Sequence, residues 1–209
     1  MRTAALLLCV VSVAAAAGQW TPLFNGKDLT GWTLLGGKGP GYVIENGVIV
    51  CPENGGGNLL TEKDYSDFEL ELDFKLSPGG NSGVAVRAPL EGDIAYTGME
   101  IQILDQDHEK YKGRLKPWQL TGSVYNVLPA MPSPALKPAG EWNRYQIRAQ
   151  GTQIQVRLNG RTLVDGDLAS VKDPEVLKKH PGVKRTTGRV GFLGHDTRVE
   201  FRKIRIREL

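Results

Sequence analysis

The sequence predicts an all-β fold, a two-sheet antiparallel jelly-roll sandwich with one short helix. Three observations carry this expectation. Apolar side chains recur at every second position through most of the chain, the segments that do so are short, and Asn-Gly and Pro-Gly-Gly signals separate them. With 26 glycines and 12 prolines in 209 residues there is little room for long helices.

The first residues read differently from the rest. Met1-Arg2-Thr3, the apolar run from Ala4 to Val13 and the alanines ending at Ala17 have the charge, length and small-residue exit of a secretory leader, expected over residues 1–18. Its apolar part is too short to span a bilayer. Cys9 lies inside that stretch with no small residues immediately before it, which argues against lipoprotein processing. The expected mature product is one domain, residues 19–209, secreted or periplasmic and free of the membrane once the leader is cleaved. Loss of Arg2 and Cys9 leaves 25 basic against 23 acidic residues and Cys51 as the sole thiol, so no internal disulfide can form. Cys51 follows Val48-Ile49-Val50 and is expected to be a buried small hydrophobe.

Along the mature chain, Tyr42-Val43-Ile44 and Val48-Ile49-Val50 flank Glu45-Asn46-Gly47, which predicts a hairpin. Phe68, Leu70, Leu72, Phe74 and Leu76 alternate with Glu69, Glu71, Asp73 and Lys75, as in a strand with one face in the core. Pro78-Gly79-Gly80-Asn81 turns the chain into a strand with Ser82, Val84 and Val86 inward. The residues Gln106 to Pro138 lack sustained periodicity, but Tyr111, Trp118 and Tyr125 argue that this long loop is ordered. Further strands are expected around Tyr145 and Ile147, around Ile154, Val156 and Leu158 with a turn at Asn159-Gly160, and around Val190 and Phe192. Asp173 to Lys179, with Pro174 early, is the predicted helix. The basic residues Arg198, Arg202, Lys203, Arg205 and Arg207 are interleaved with Val199, Phe201, Ile204 and Ile206, which describes a solvated strand face and no nucleic-acid partner.

Chemistry concentrates in three places. In Met99-Glu100-Ile101-Gln102-Ile103 the period of two sets Glu100 and Gln102 together, away from Met99, Ile101 and Ile103. In Asn81-Ser82-Gly83-Val84-Ala85-Val86-Arg87 the outward face carries Asn81, Gly83, Ala85 and Arg87, leaving space for a ligand and a fixed cation beside it. His195 follows Gly194 at a strand end, where an imidazole can carry protons near neutral pH. Asp105, Asp107 and His108 are the candidates for a divalent cation site. His180 shows no functional signal.

Several of these segments, taken in order, resemble the 3-keto-disaccharide hydrolase domain family. They are Leu23-Phe24-Asn25-Gly26-Lys27-Asp28-Leu29-Thr30-Gly31-Trp32, the Asn81 to Arg87 strand, Glu100-Ile101-Gln102-Ile103-Leu104-Asp105, Gly140-Glu141-Trp142-Asn143, and Val199-Glu200-Phe201-Arg202-Lys203-Ile204-Arg205-Ile206. The resemblance implies a sandwich of the concanavalin A-like lectin/glucanase type acting on sugars oxidised at C3. Two positions depart from the family pattern, Asp196 where a Gly often follows the histidine and Lys203 where Asn is usual.

A C3 ketone acidifies the C2 hydrogen, so a base can remove it and the enolate can expel the C1 substituent, with water adding afterwards. That chemistry needs a base or acid, for which Glu100 and His195 are the candidates, and a positive charge at the C3 oxygen, for which Arg87 or a metal is the candidate. Direct hydrolysis would need a second acid about 5 to 9 Å from Glu100, and Asp105 alternates to the other face, so elimination ranks first. Asn81, Gln102, Trp118 and Tyr125 are the expected carbohydrate contacts, with Tyr96 and Tyr111 as further stacking surfaces. The competing expectation is a non-catalytic, lectin-like carbohydrate-binding module on the same scaffold.

Overall fold

The computed structural model describes residues 18–133 and 135–209. The leader expected over 1–18 lies outside them but for Gly18. Among the described residues no helix is long and apolar enough to cross a membrane.

The strands are β1 (Thr21–Pro22), β2 (Trp32–Lys38), β3 (Val43–Glu45), β4 (Val48–Cys51), β5 (Gly56–Thr61), β6 (Phe68–Leu76), β7 (Asn81–Ala88), β8 (Met99–Leu104), β9 (Trp142–Gln150), β10 (Gln153–Leu158), β11 (Arg161–Asp167), β12 (Arg189–His195) and β13 (Val199–Glu208). They form two antiparallel sheets, the jelly-roll sandwich expected. The larger has the order β11-β10-β9-β6-β13-β4-β3 with β1 added beside β13, and the smaller has the order β2-β5-β12-β7-β8. The expected hairpin turns are present, with Asn46 and Gly47, and Asn159 and Gly160, all at positive φ.

The inward faces pack as the alternation requires. Phe68, Leu70, Leu72, Phe74 and Leu76 of β6 meet Val84 and Val86 of β7 and Met99, Ile101 and Ile103 of β8 in one core. Phe192 stacks on Trp32 at 5.5 Å within the small sheet and on Phe201 of the large sheet at 3.9 Å. Each such buried side chain contributes roughly 1.5–3 kcal/mol. Tyr145, buried in β9, donates its hydroxyl to the Gln102 carbonyl at 2.6 Å and so ties β8 to the opposite sheet.

On the outside of the large sheet the acids of β6 face the cations of β13. Asp73, Glu71 and Glu69 pair with Arg202, Arg205 and Arg207. The apolar phase of β13 changes between Phe201 and Ile204 because the β6 register shifts between Arg202 and Arg205, with Lys203 at φ 51. Lys203 thus occupies a left-handed position, which suits the Asn usual there, and its exposed ammonium pairs with Asp73 at 3.3 Å.

The expected helix is α2 (Pro174–Lys179), capped by Asp173. A second, single-turn helix, α1 (Ile94–Thr97), was not expected, since four residues are too few to show a 3.6 period. Cys51 is buried, and burial pushes its thiol up to about 11.

The long loop covers the edge of β8. Ser123 accepts from the Gln102 N–H at 3.0 Å, and Tyr125 donates its N–H to the Glu100 carbonyl at 2.8 Å. An open edge strand is thereby closed by its own chain.

Candidate active site

On the outer face of the small sheet the central strand β7 presents only small residues, Gly83 and Ala85. Register pairs Ala85 with Glu100, Gly83 with Gln102, and Gly83 with Leu193, so these side chains share one face. His195 lies farther along the same face of β12, paired with Gly56.

Glu100 does not point to solvent, as a half-exposed strand would have it. Its side chain is 4% exposed, and Oε1 lies 3.6 Å from His195 Nε2. That separation is an ion-pair distance and too long for a hydrogen bond. Oε1 is buried with no hydrogen-bond partner among the described residues. A buried carboxylate oxygen left in that state is costly for folding alone, which makes Glu100 a candidate functional group.

Glycine makes this placement possible. A Cβ built on Gly83 would stand 2.1 Å from Glu100 Oε1 and 2.4 Å from its Cγ. The carboxylate therefore lies across β7 through the space a side chain would fill. From β12, His195 reaches the same place with 42% of its side chain exposed. The Glu100 carboxylate raises the His195 pKa above its usual value against the opposing effect of burial, with Asp196 and Asp93 adding to the rise.

The residue after His195 adopts φ 55, the left-handed region. Asp196 thus keeps a conformation natural to the Gly common there, Asp being among the residues that tolerate it. Its carboxylate pairs with Lys38 at 3.0 Å.

Other expected residues sit around this pair. Asn81, at the start of β7, is fixed through its backbone by the Thr197 hydroxyl at 2.9 Å, and its side-chain oxygen is buried and unpartnered. Gln102 is buried, with its side-chain oxygen accepting from the Ile103 N–H at 3.0 Å. Tyr125 meets Tyr96 edge-on at 6.4 Å, and the same loop carries exposed Trp118. Burial raises the Tyr96 hydroxyl, with Tyr125, Asp93 and Glu100 contributing, which places Tyr96 within the field of Glu100. Tyr111 instead packs its loop, donating to the Gly79 carbonyl at 3.3 Å.

Arg87 is not part of this constellation. The register of β12 on β7 shifts between Arg189 and Gly191, and Arg87 adopts φ 50 at that bulge. Ala85 and Ala88 then share the outer face, while the Arg87 guanidinium is buried on the other side. Nε and Nη2 donate to the Ser66 carbonyl, Nη1 to Gly151 and Arg185 carbonyls, and Nη2 also to Asp67, at 2.7 to 3.2 Å. All five N–H donors are spent on holding loops together. The sequence alternation placed it outward because a bulge has no signature in the two-residue period.

The acidic loop also differs from expectation. Asp105 accepts from the Gly79 N–H at 2.9 Å, tying the end of β8 to the turn before β7, and His108 Nδ1 accepts from the Lys110 N–H at 3.3 Å within its own loop. Asp105, Asp107 and His108 do not converge, and no group of three His, Cys, Asp or Glu side chains able to hold a metal occurs among the described residues.

His180, which shows no functional signal in the sequence, packs beside the candidate site. It is buried, stacks on Tyr96 at 4.7 Å, and has its pKa lowered by burial and by Lys179. Only a tertiary contact reveals it, since its sequence neighbours are a helix end and a proline.

A family model described as the 3-keto-alpha-glucoside-1,2-lyase-like domain matches residues 19–207. The chain is similar to a 3-keto-disaccharide hydrolase of Bacteroides thetaiotaomicron, 28% identical over an alignment of 231 positions, gaps included, that spans 92% of this chain and 79% of the relative. A candidate glycosyl hydrolase of Parabacteroides distasonis, known from its crystal structure, is 29% identical with a TM-score of 0.76, covering 92% of this chain and 94% of that one. A carbohydrate-binding module of Bacillus subtilis, 14% identical, shares the fold alone, with a TM-score of 0.54 and coverage of 83% and 93%.

Proposed function

Because the chain belongs to the 3-keto-alpha-glucoside-1,2-lyase-like domain family, we propose that it cleaves 3-keto-glycosides by elimination across C1 and C2 followed by hydration. The observation that carries this reading is the buried, hydrogen-bond-free Glu100 oxygen facing His195 over a glycine floor. A base with an unoccupied lone pair next to an imidazole with a raised pKa is a proton-transfer pair.

Glu100 takes the proton from C2, and the electron pair of that C–H bond forms the C2–C3 double bond of an enolate. The pair then returns to make the C1–C2 double bond as the C1–O bond breaks. His195, whose charged form the neighbouring carboxylate favours, gives its proton to the departing oxygen. Water adds to C1 and a proton to C2, so the net change is hydrolysis. Tyr96, Tyr125 and Trp118 supply aromatic surface for the sugar rings, and Asn81 supplies a hydroxyl acceptor.

The test is turnover of a 3-keto-glycoside in deuterated water. Deuterium at C2 of the released sugar, above that exchanged without protein, is the expected result. Cleavage with no label at C2 would exclude elimination, and binding without cleavage would make the chain a carbohydrate-binding module. The leader-like composition of residues 1–18 supports export, which N-terminal sequencing of the cell-envelope or secreted product checks.

A further inference from the structure

Elimination puts negative charge on the C3 oxygen, and the guanidinium of Arg87 cannot meet it. We propose that Lys38 supplies that charge, its ammonium facing the ketone oxygen of the bound sugar. This rests on the elimination reading above and names the group that the reading lacks.

The argument comes from register. Lys38 of β2 pairs with Gly56 of β5, and His195 of β12 pairs with the same Gly56 from the other side. Lys38 and His195 therefore stand in one row on one face, about 10 Å apart by strand spacing, with only a glycine between them. Glu100 approaches His195 from the opposite flank, over Gly83. The two carriers of protons and the ammonium so span the small sheet, with Gly56 and Gly83 between them.

Lys38 is also isolated by its sequence. It stands within Gly36-Gly37-Lys38-Gly39-Pro40-Gly41, where Gly36, Gly39 and Gly41 have positive φ, so the chain doubles back and offers one long side chain at the tip. Its side chain is 66% exposed, and its partner Asp196 directly follows His195 in the chain. An exposed pair of this kind adds little to stability, so it can open to a ligand at small cost. Two further cations among the described residues are held elsewhere. Arg189 is held by Asp64 at 3.0 Å and by the Thr61 carbonyl at 2.7 Å, while Lys179 lies over the Tyr96 ring at 5.4 Å.

In chemical terms, the C2–H electron pair moves to form the enolate and the charge comes to rest on the C3 oxygen beside the ammonium, with no redox change. A well-placed donor at such an oxygen is worth about 10²- to 10³-fold in kcat. Because the charge develops in the transition state, the loss falls on kcat more than on KM.

The experiment compares wild-type protein with Lys38→Met, Lys38→Arg and Lys179→Met on one 3-keto-glycoside, with thermal unfolding of each. Expected are a loss of about 10²-fold or more in kcat for Lys38→Met with little change in KM or melting temperature, partial recovery in Lys38→Arg, and a smaller effect of Lys179→Met. A Lys38→Met enzyme within about threefold of wild type overturns the assignment while leaving elimination in place, as does a larger loss in Lys179→Met. A wild type without turnover overturns both.

Discussion

Glu100 and His195 come from β8 and β12, strands separated by β7, and they meet at 3.6 Å because Gly83 between them has no side chain. The relationship is made by an absence in the sequence as much as by the two groups themselves. It defines how the site can be broken without breaking the fold.

Gly83→Ala is the sharpest such change. The added methyl collides with the flexible end of Glu100, Oε1 at 2.1 Å and Cδ at 2.6 Å, so the carboxylate must move and the strand need not. Turnover should fall by about 10²-fold, the smaller end of what loss of a positioned base costs. Melting temperature should change by only a few degrees. Full activity in this variant would show that the carboxylate does not work from where it lies.

The pH dependence follows from the sign of the His195 shift. Its folded pKa is raised above 6.5, first by Glu100, against burial. The stabilising effect of the charged imidazole is thus complete below about pH 6.5 and is lost as pH rises through the folded value. Activity that uses the imidazolium as acid should decline over the same alkaline limb. In Glu100→Gln the main raising influence is gone and burial remains, so the imidazole titration followed by NMR should move to lower pH. An unchanged titration would mean that the two groups do not interact.

Arg87 should matter for stability and not for chemistry. Arg87→Met strands the carbonyls of Ser66, Gly151 and Arg185, and removal of a buried, fully bonded charge costs about 3–5 kcal/mol. At about 2–4 °C per kcal/mol for a chain of this size, melting should drop by roughly 10 °C, and Arg87→Lys should rescue only part. The folded variant should keep wild-type kcat at low temperature. A loss of kcat without loss of stability would restore Arg87 to the site.

Tyr145→Phe removes a hydroxyl bonded to the Gln102 carbonyl at 2.6 Å. The expected cost is about 1 kcal/mol, measured by denaturant unfolding. Because Gly122 also donates to that carbonyl, β8 should stay in register and activity should persist.

The strands of this fold were legible wherever one face is buried. Phe68 to Leu76 wrote both its inward and outward faces into the period of two, and the acids of the outer face turned out to be the partners of the β13 arginines. What the period could not show was a change of phase. One bulge near Arg87 turned a proposed ligand cation into a clamp between loops, and another near Lys203 shifted β13. Within the candidate site, Glu100, Gln102, Asn81 and His195 were legible as polar groups beside the small residues Gly83 and Ala85. Their encounter was not, because it depends on pairing across β7. Lys38 and His180 carried no local signal, one being a lysine among glycines and the other a helix-end histidine whose contact with Tyr96 is tertiary.

The most direct test of the account is Glu100→Gln assayed for both turnover and binding on a 3-keto-glycoside. The account predicts a fall in kcat of about 10²- to 10⁴-fold with the sugar still bound, since the amide keeps the shape of the side chain and loses the base. Turnover by Glu100→Gln within about threefold of wild type would contradict it.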